Sequence, residues 1–231
     1  LWKQKILNAR NQEIIIKFIK RLANWMSDEE DLWAPSFLGD EFSQELTHLE
    51  SENIVIREGM RIGFCHQTFF DFLLARQFAE GGKNLTQYVL KRQNGLFVRP
   101  ILLSVLDYLR STSRKRYHKE IMELWEKLEL RTHIKILLDE KIASLDDPDE
   151  TEQNLVFSVL KDGISPDSRK ARFLASMAGS SGWFEKIRST YLPLILSASQ
   201  EKAWPSLNVM ICAWPFAHDH VFELMESHLL P

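Results

Sequence analysis

Cysteine is scarce in this chain of 231 residues, which contains only Cys65 and Cys212. The two lie far apart and outside the CxxC spacing of zinc sites, so we expect reduced thiols and no Cys-rich metal site. Long apolar runs are also lacking, because no stretch approaches the roughly 18 residues that a membrane-spanning helix needs. No signal peptide is recognisable. These absences predict a cytoplasmic protein with no membrane partner.

A surplus of basic charge is absent as well, because the chain has 29 Lys and Arg residues but 32 Asp and Glu residues, which gives a net charge of −3. Nucleic-acid-binding proteins usually carry a basic excess, so this balance disfavours a nucleic-acid partner. Apolar side chains, in contrast, are plentiful, at 45% hydrophobic and 11% aromatic residues. The chain can therefore bury a core, and global disorder is excluded. Its length fits one large domain or two small ones.

The clearest pattern runs from Ile54 to Ala79. Residues 54–56 and 61–64 alternate in polarity on either side of a Glu58-Gly59 pair, which predicts a tight β-hairpin. From about residue 67 the period changes to that of a helix, with one apolar side formed by Phe69, Phe70, Leu73, Leu74 and Phe78. His66 lies at the junction. A titratable group is unexpected between a hairpin and a helix that are both predicted to be buried.

The segments on both sides of this pattern are predicted to be helical. Apolar periodicity predicts helices over residues 1–26 and 40–50, separated by a solvated acidic cluster at 27–31 and a loop at 32–39. Helix, helix, hairpin and helix is the order of a winged-helix domain. After Gly81-Gly82 nearly everything is predicted to be helical, with Gly and Pro between the helices.

We therefore predict a mainly α fold of two domains. Residues 1–82 form a winged-helix domain with a short β-hairpin. Residues 83–231 form an α-solenoid-like array of stacked helices, HEAT-like in type although no fixed repeat period is present.

Seven positions in the segment 64–76 fit a known family motif: Phe64, His66, Thr68, Phe69, Asp71, Phe72 and Ala75. The segment resembles the motif that closes the winged-helix part of NACHT-type STAND NTPases, a group that includes the NOD-like receptors and many bacterial defence and signalling ATPases. The hairpin and the flanking helices follow the family's order. The resemblance covers about residues 1–82, and residues 83–231 match only in being helical.

The resemblance implies a role for His66. In that family the corresponding histidine contacts the phosphates of bound ADP from across a domain boundary and so holds the protein closed. The chemistry is reasonable, because an imidazole can donate a hydrogen bond to a phosphate oxygen. A contact made in only one state is what an allosteric switch requires. Without the resemblance, the default interpretation of His66 is a polar residue that backbone groups satisfy.

The resemblance also implies the partners. An upstream NTPase domain of the same chain would bind ADP or ATP with Mg, and the helical array would detect or relay a protein ligand. Activation would then permit nucleotide exchange and oligomerisation, in antiviral defence or innate immune signalling. The chain begins without Met and already looks helical, so we interpret it as a piece of a longer signalling ATPase.

This piece is expected not to be an enzyme. Its only Gly-Lys pair, Gly82-Lys83, lacks the remaining residues of a GxxxxGK(S/T) phosphate-binding loop. We predict no catalytic residue, no metal ligand and no cofactor of its own. The cluster of His218, Asp219, His220 and Glu223 lacks the spacing of a zinc site.

Three alternatives stay open. A DNA-binding winged helix would use Arg57 and Arg61 of the predicted wing, but residues 1–82 hold nine basic and thirteen acidic residues, and the segment 40–50 holds no Lys or Arg. A plain α-solenoid scaffold without a nucleotide link is the second. The third concerns Arg114-Lys115-Arg116, which is a solvated turn by default or a partner site.

Overall fold

The structure is a computed structural model that describes residues 2–7, 11–82, 84–95, 97–160, 173–174, 176–189, 191–196 and 200–228. These residues are mainly helical and include a small three-stranded antiparallel sheet, which confirms the predicted fold class at that level. The chain divides into two compact units, Leu1–Leu124 and Trp125–Pro231. The predicted domain boundary after residue 82 stays a prediction.

The first unit begins with a π-helical turn and contains three strands and most of the longer helices. In chain order its elements are the π-helical turn Trp2–Leu7, α1 (Gln12–Glu29), β1 (Ala34–Pro35), a 3₁₀ segment (Ser36–Phe42), α2 (Ser43–Ser51), β2 (Val55–Glu58), β3 (Arg61–Phe64), α3 (Gln67–Gly81), α4 (Leu85–Arg92), α5 (Val98–Thr112) and α6 (Arg114–Glu126). The helix α6 extends two residues past the division between the units.

The described elements of the second unit are all helices: α7 (Thr132–Ala143), α8 (Glu150–Leu160), α9 (Ser181–Ile187), α10 (Tyr191–Leu196) and α11 (Gln200–His228). Most of the predicted helix over 168–177 lies outside the described residues. The predicted helices 202–213 and 218–229 form the single element α11, which is bent at Ala217 (φ −142°, ψ 32°). None of the described helices is long and apolar enough to cross a membrane.

The predicted β-hairpin is confirmed. The strands β2 and β3 pair antiparallel, with Val55 opposite Phe64 and Glu58 opposite Arg61. Gly59, at φ +58°, occupies the first position of the two-residue turn, where a residue with a side chain would be strained. β1 adds an edge strand against β3, and its Pro35 suits an edge because proline has no N–H to donate.

The core of the first unit lies beneath α1 and α3. The buried side chains of α1 recur every three or four residues, as a half-buried helix requires, and are Ile15, Phe18, Ile19, Leu22 and Met26. The rings of Phe18 and Phe42 stack with centroids 5.1 Å apart. The helix α3 packs against α1 and, most extensively, against α5. This packing fixes the position of the α3 N-terminus.

Two loop predictions were wrong. The acidic cluster does not form a loop at residues 27–29, because α1 continues through Glu29. Ser27 is buried there, and Arg92 donates to its carbonyl oxygen at 2.8 Å and to Asp28 Oδ1 at 2.6 Å. This tertiary pairing stabilises the last turn of α1. The segment 32–39 contains β1 and the start of the 3₁₀ segment, and α2 begins at Ser43 rather than at Asp40.

The core of the second unit includes Trp183. Its ring is fully buried, and its Nε1 donates to the carbonyl oxygen of Ile142 at 3.0 Å. The preceding Ser180 caps α9 by accepting from the Trp183 N–H, and its hydroxyl donates to the carbonyl oxygen of Leu145. Gly182 lies so close to residue 146 that an added Cβ would meet the Asp146 carbonyl oxygen at 1.8 Å. This close approach requires glycine.

We predict that two nearby glycine substitutions differ in their effect on stability. Gly182→Ala should lower the free energy of unfolding by about 1–3 kcal/mol, because the new methyl group collides with backbone. Gly179→Ala is the matched control, since its Cβ would meet nothing within 4 Å, and its effect should stay within about 1 kcal/mol. Urea denaturation followed by tryptophan fluorescence measures both. Equal stability of the two variants would contradict the predicted collision.

Candidate functional site

His66 is the last residue before α3 and has an extended backbone, with φ −132° and ψ 124°. Its side chain is exposed, because the hairpin and α3 bury their apolar sides and leave the junction at the surface. The imidazole does not cap the helix, and the described residues offer it no hydrogen-bond partner. The default interpretation, in which backbone groups satisfy His66, therefore finds no support in this part of the chain.

The N-terminus of α3 is electropositive. No side chain caps it, and its first turn contains no acidic residue. The N–H of Phe69 donates to the His66 carbonyl oxygen at 3.0 Å. The N–H groups that precede it at the start of α3 have no partner within the helix, as is general for helix N-termini. Thr68 is exposed beside them and brings a hydroxyl donor. Helix N-termini with free N–H groups attract anions, so this end of α3 suits a negatively charged ligand.

An aromatic pocket adjoins His66. It has a volume of about 420 Å³ and is lined by Trp2, His66, Thr68, Phe69 and Phe72. The Trp2 ring centroid lies 6.3 Å from that of Phe69 and 5.8 Å from that of Phe72. The pocket thus combines an apolar wall with a polar rim formed by His66 and Thr68.

A chain of charged contacts holds Trp2 against α3. The Arg76 guanidinium lies 4.3 Å from the centre of the Trp2 ring, within the range of a cation–π interaction. Arg76 Nε donates to Glu80 Oε1 at 2.6 Å, and Lys20 Nζ donates to Glu80 Oε2 at 3.0 Å. Both hydrogen bonds lower the pKa of Glu80, and the one from Arg76 has the larger effect. The π-helical turn, α3 and α1 are joined in this way.

Asp71, one of the matched motif positions, has a carboxylate that is only partly exposed. Its buried Oδ1 has no hydrogen-bond partner within the described structure. Burial raises the pKa of Asp71, since a carboxylate that loses water without gaining a donor is costly to ionise. Asp71 and Arg76 are five residues apart, and side chains on a helix pair at i+3 or i+4. Arg76 instead bonds Glu80, four residues further along the helix.

Cys65 does not form a nucleophilic pair with His66. Burial raises the pKa of the Cys65 thiol, and a backbone hydrogen bond lowers it by less. The thiol form, which is the poor nucleophile, is therefore favoured. Neighbouring residues on an extended chain also point to opposite faces, which places Cys65 poorly for pairing with His66.

Within the basic segment 114–116, Arg116 is partly buried and bonds to α3, whereas the side chains of residues 114 and 115 are exposed. Arg116 donates to the carbonyl oxygens of Phe78, at 2.8 Å, and Ala79. Its Nε also lies 3.7 Å from Glu120 Oε1. Arg116 therefore satisfies carbonyl groups near the C-terminus of α3, where a cation also complements the helix dipole.

The histidine and carboxylate cluster near the C-terminus makes only pairwise contacts. His218 Nε2 lies 3.3 Å from Asp219 Oδ1, and His220 Nδ1 lies 3.5 Å from Glu223 Oε2. The described residues contain no group of three or more His, Cys, Asp or Glu side chains arranged to hold a metal ion.

Trp2 and Arg76 are the site residues that sequence reasoning missed. Neither belongs to the matched motif positions, and only folding brings Trp2 to α3. No protein-family model matches the chain, and neither does any curated protein or solved structure. The assignment of a function to the pocket beside His66 consequently rests on its own chemistry and on the motif resemblance.

We expect Asp71→Asn to stabilise the protein in a pH-dependent way. A raised native pKa means that stability falls as the pH rises from the unfolded-state pKa, about 3.9, through the higher native value. At pH 7 the substitution removes a costly buried charge, so the free energy of unfolding should rise. Near pH 3 the aspartate is protonated in both states and the difference should vanish.

Urea denaturation at several pH values measures this effect. Asp40→Asn, at an exposed carboxylate, is the control for loss of one negative charge. A destabilised Asp71→Asn variant at pH 7 would show that the carboxylate has a stabilising partner.

Proposed function

We propose that this chain is the regulatory part of a NACHT-like STAND signalling ATPase. In this proposal residues 1–82 form the winged-helix domain and residues 83–231 a HEAT-like helical array. One observation carries the proposal: the imidazole of His66 is exposed and has no hydrogen-bond partner among the described residues, at the uncapped N-terminus of α3 and beside the aromatic pocket. The motif at residues 64–76 adds support. ADP bound to an upstream NTPase domain would be the ligand.

The donors at this end of α3 fit a phosphate group. The His66 imidazole, the Thr68 hydroxyl and the first N–H groups of α3 are all hydrogen-bond donors. A phosphate would also be stabilised by the positive end of the helix dipole. The neighbouring Phe69 and Phe72 rings form the apolar wall of the pocket beside these donors.

The contacts of Trp2 give the site a connection to the rest of the chain. Trp2 packs on Phe72 and Arg76, and Arg76 bonds Glu80, which also bonds Lys20 on α1. A displacement of the π-helical turn would remove one wall of the pocket. In the proposed mechanism this couples domain movement to loss of the phosphate contact, so the closed state retains ADP and the open state releases it.

The remaining parts of the proposal follow from the resemblance. The helical array senses or relays a protein ligand, and activation leads to nucleotide exchange and oligomerisation in a cytoplasmic defence or signalling pathway. ATP hydrolysis, with Mg, belongs to the upstream domain, and this chain contributes no catalytic residue.

DNA binding by the wing has less support. Arg57 is not free for phosphate, because its Nε donates to Glu50 Oε1 of α2 at 3.1 Å. The helix α2, which a winged helix would present to the major groove, contains no Lys or Arg. Phosphate neutralisation by such residues supplies much of the affinity for DNA.

The decisive test of the proposed role is His66→Ala in the full-length protein. Loss of a hydrogen bond to a charged phosphate should weaken ADP retention by about 10- to 100-fold and raise basal activity. Gln67→Ala, at the adjacent exposed position, is the matched control and should change neither. Dissociation of a fluorescent ADP analogue measures retention. Unchanged ADP retention in His66→Ala would remove the proposed role, as a plain scaffold predicts.

The class of protein has an independent test in the full-length sequence. The family resemblance implies a GxxxxGK(S/T) phosphate-binding loop roughly 200–300 residues upstream of Leu1. An upstream region without that loop would contradict the STAND assignment.

A further inference from the structure

A polar cleft opens in the second unit, where α10, α11 and the end of α9 meet. It has a volume of about 340 Å³, which lies within the range of small-molecule sites. Charged and apolar side chains line it together: Glu185, Arg188, Pro193, His220, Glu223 and Leu224. The cleft shares no residue with the aromatic pocket beside α3, so it is a separate candidate site.

Arg188 brings an incompletely paired guanidinium to the cleft. It directly follows α9, and its Nε lies 2.9 Å from Oε2 of Glu185, three residues earlier. Neither terminal amino group of Arg188 has a partner among the described residues, although only 32% of the side chain is exposed. A guanidinium presents its N–H donors as a planar fork that matches a carboxylate. The cleft therefore offers a binding position for a carboxylate group.

The helix α11 supplies an acceptor on the other side of the cleft. Glu223 Oε2 lies 3.5 Å from His220 Nδ1, and this nitrogen has no hydrogen-bond partner, because the distance exceeds that of a normal hydrogen bond. The second carboxylate oxygen of Glu223 has no partner in the described part of the chain. When His220 is neutral, Glu223 carries a negative charge without a cation beside it. An ammonium group is the ligand group that complements this carboxylate.

We propose that the cleft binds a free α-amino acid with an apolar side chain. The ligand carboxylate would bind the fork of Arg188, and the ligand ammonium group would bind Glu223. The ligand side chain would lie against Pro193 and Leu224. An anion alone is disfavoured because Glu185 and Glu223 repel it, and a cation alone is disfavoured because Arg188 repels it. This site does not depend on the nucleotide role proposed above.

Three matched ligands test the proposal on the whole chain. L-Leucine carries both charged groups, isocaproate is leucine without the ammonium group, and isopentylamine is leucine without the carboxylate. Isothermal titration calorimetry at about pH 8, where histidine is neutral, measures their binding. We expect leucine to bind with a Kd of about 1 mM or below. Each analogue should bind at least about tenfold more weakly, because it leaves one charged group of the cleft without its partner.

Variants assign each ligand group to its residue. Arg188→Gln should weaken leucine binding by about tenfold or more without weakening that of isopentylamine, and Glu223→Gln should do the same without weakening that of isocaproate. Lys186→Gln and Glu226→Gln, at exposed positions of α9 and α11 outside the cleft, are the matched controls and should have no effect. Circular dichroism checks folding, and Glu223, at 75% exposure, is the position at which substitution disturbs the fold least.

Three results would overturn the proposal. The first is the absence of leucine binding up to about 10 mM. The second is an analogue that binds as tightly as leucine, since this would identify a site for a single charged group. The third is leucine binding that Glu223→Gln leaves unchanged, which would place the amino acid elsewhere on the chain.

Discussion

The packing of α3 is the constraint on which the candidate site depends. Phe70, Leu73 and Leu74 bury the inner side of this helix, which packs against α5 and α1. Burial of each such side chain contributes about 1.5–3 kcal/mol, whereas exposed ion pairs contribute about 0–1 kcal/mol. The core therefore holds the start of α3, and with it His66, in place. Since the core supplies this stability, the polar groups at the rim are free to remain unpaired.

The two ends of α3 differ in how their polar groups are satisfied. At the C-terminal end, Arg116 donates to the carbonyl oxygens of Phe78 and Ala79. At the N-terminal end no side chain of the described residues performs the equivalent role, and His66 and Thr68 face solvent. Unsatisfied donors at an exposed helix end cost little because water can reach them, yet they remain available to an anion. This asymmetry makes the N-terminal end the better candidate for a binding role.

Much of the local structure could be predicted from sequence. Alternation on either side of Gly59 predicted the hairpin, and apolar periodicity predicted α3 and most later helices. The failures occurred where distant contacts outweigh local preference. Ser27 and Asp28 are hydrophilic and were assigned to a loop, but Arg92 holds them at the end of α1. The exposure of His66 could not be predicted either, because periodicity says nothing about the residue between two elements.

By itself, the sequence determined the order of the secondary-structure elements and the position of one histidine directly before a helix. These follow from turn chemistry and periodicity, which act over a few neighbouring residues. Only the tertiary structure decided which side chains come together around these elements and which polar groups lack a partner. It placed Trp2 against Phe72 and Arg76, and it left Asp71 Oδ1 without a donor among the described residues. Such contacts depend on how whole helices pack, and that packing is a cooperative property of the chain.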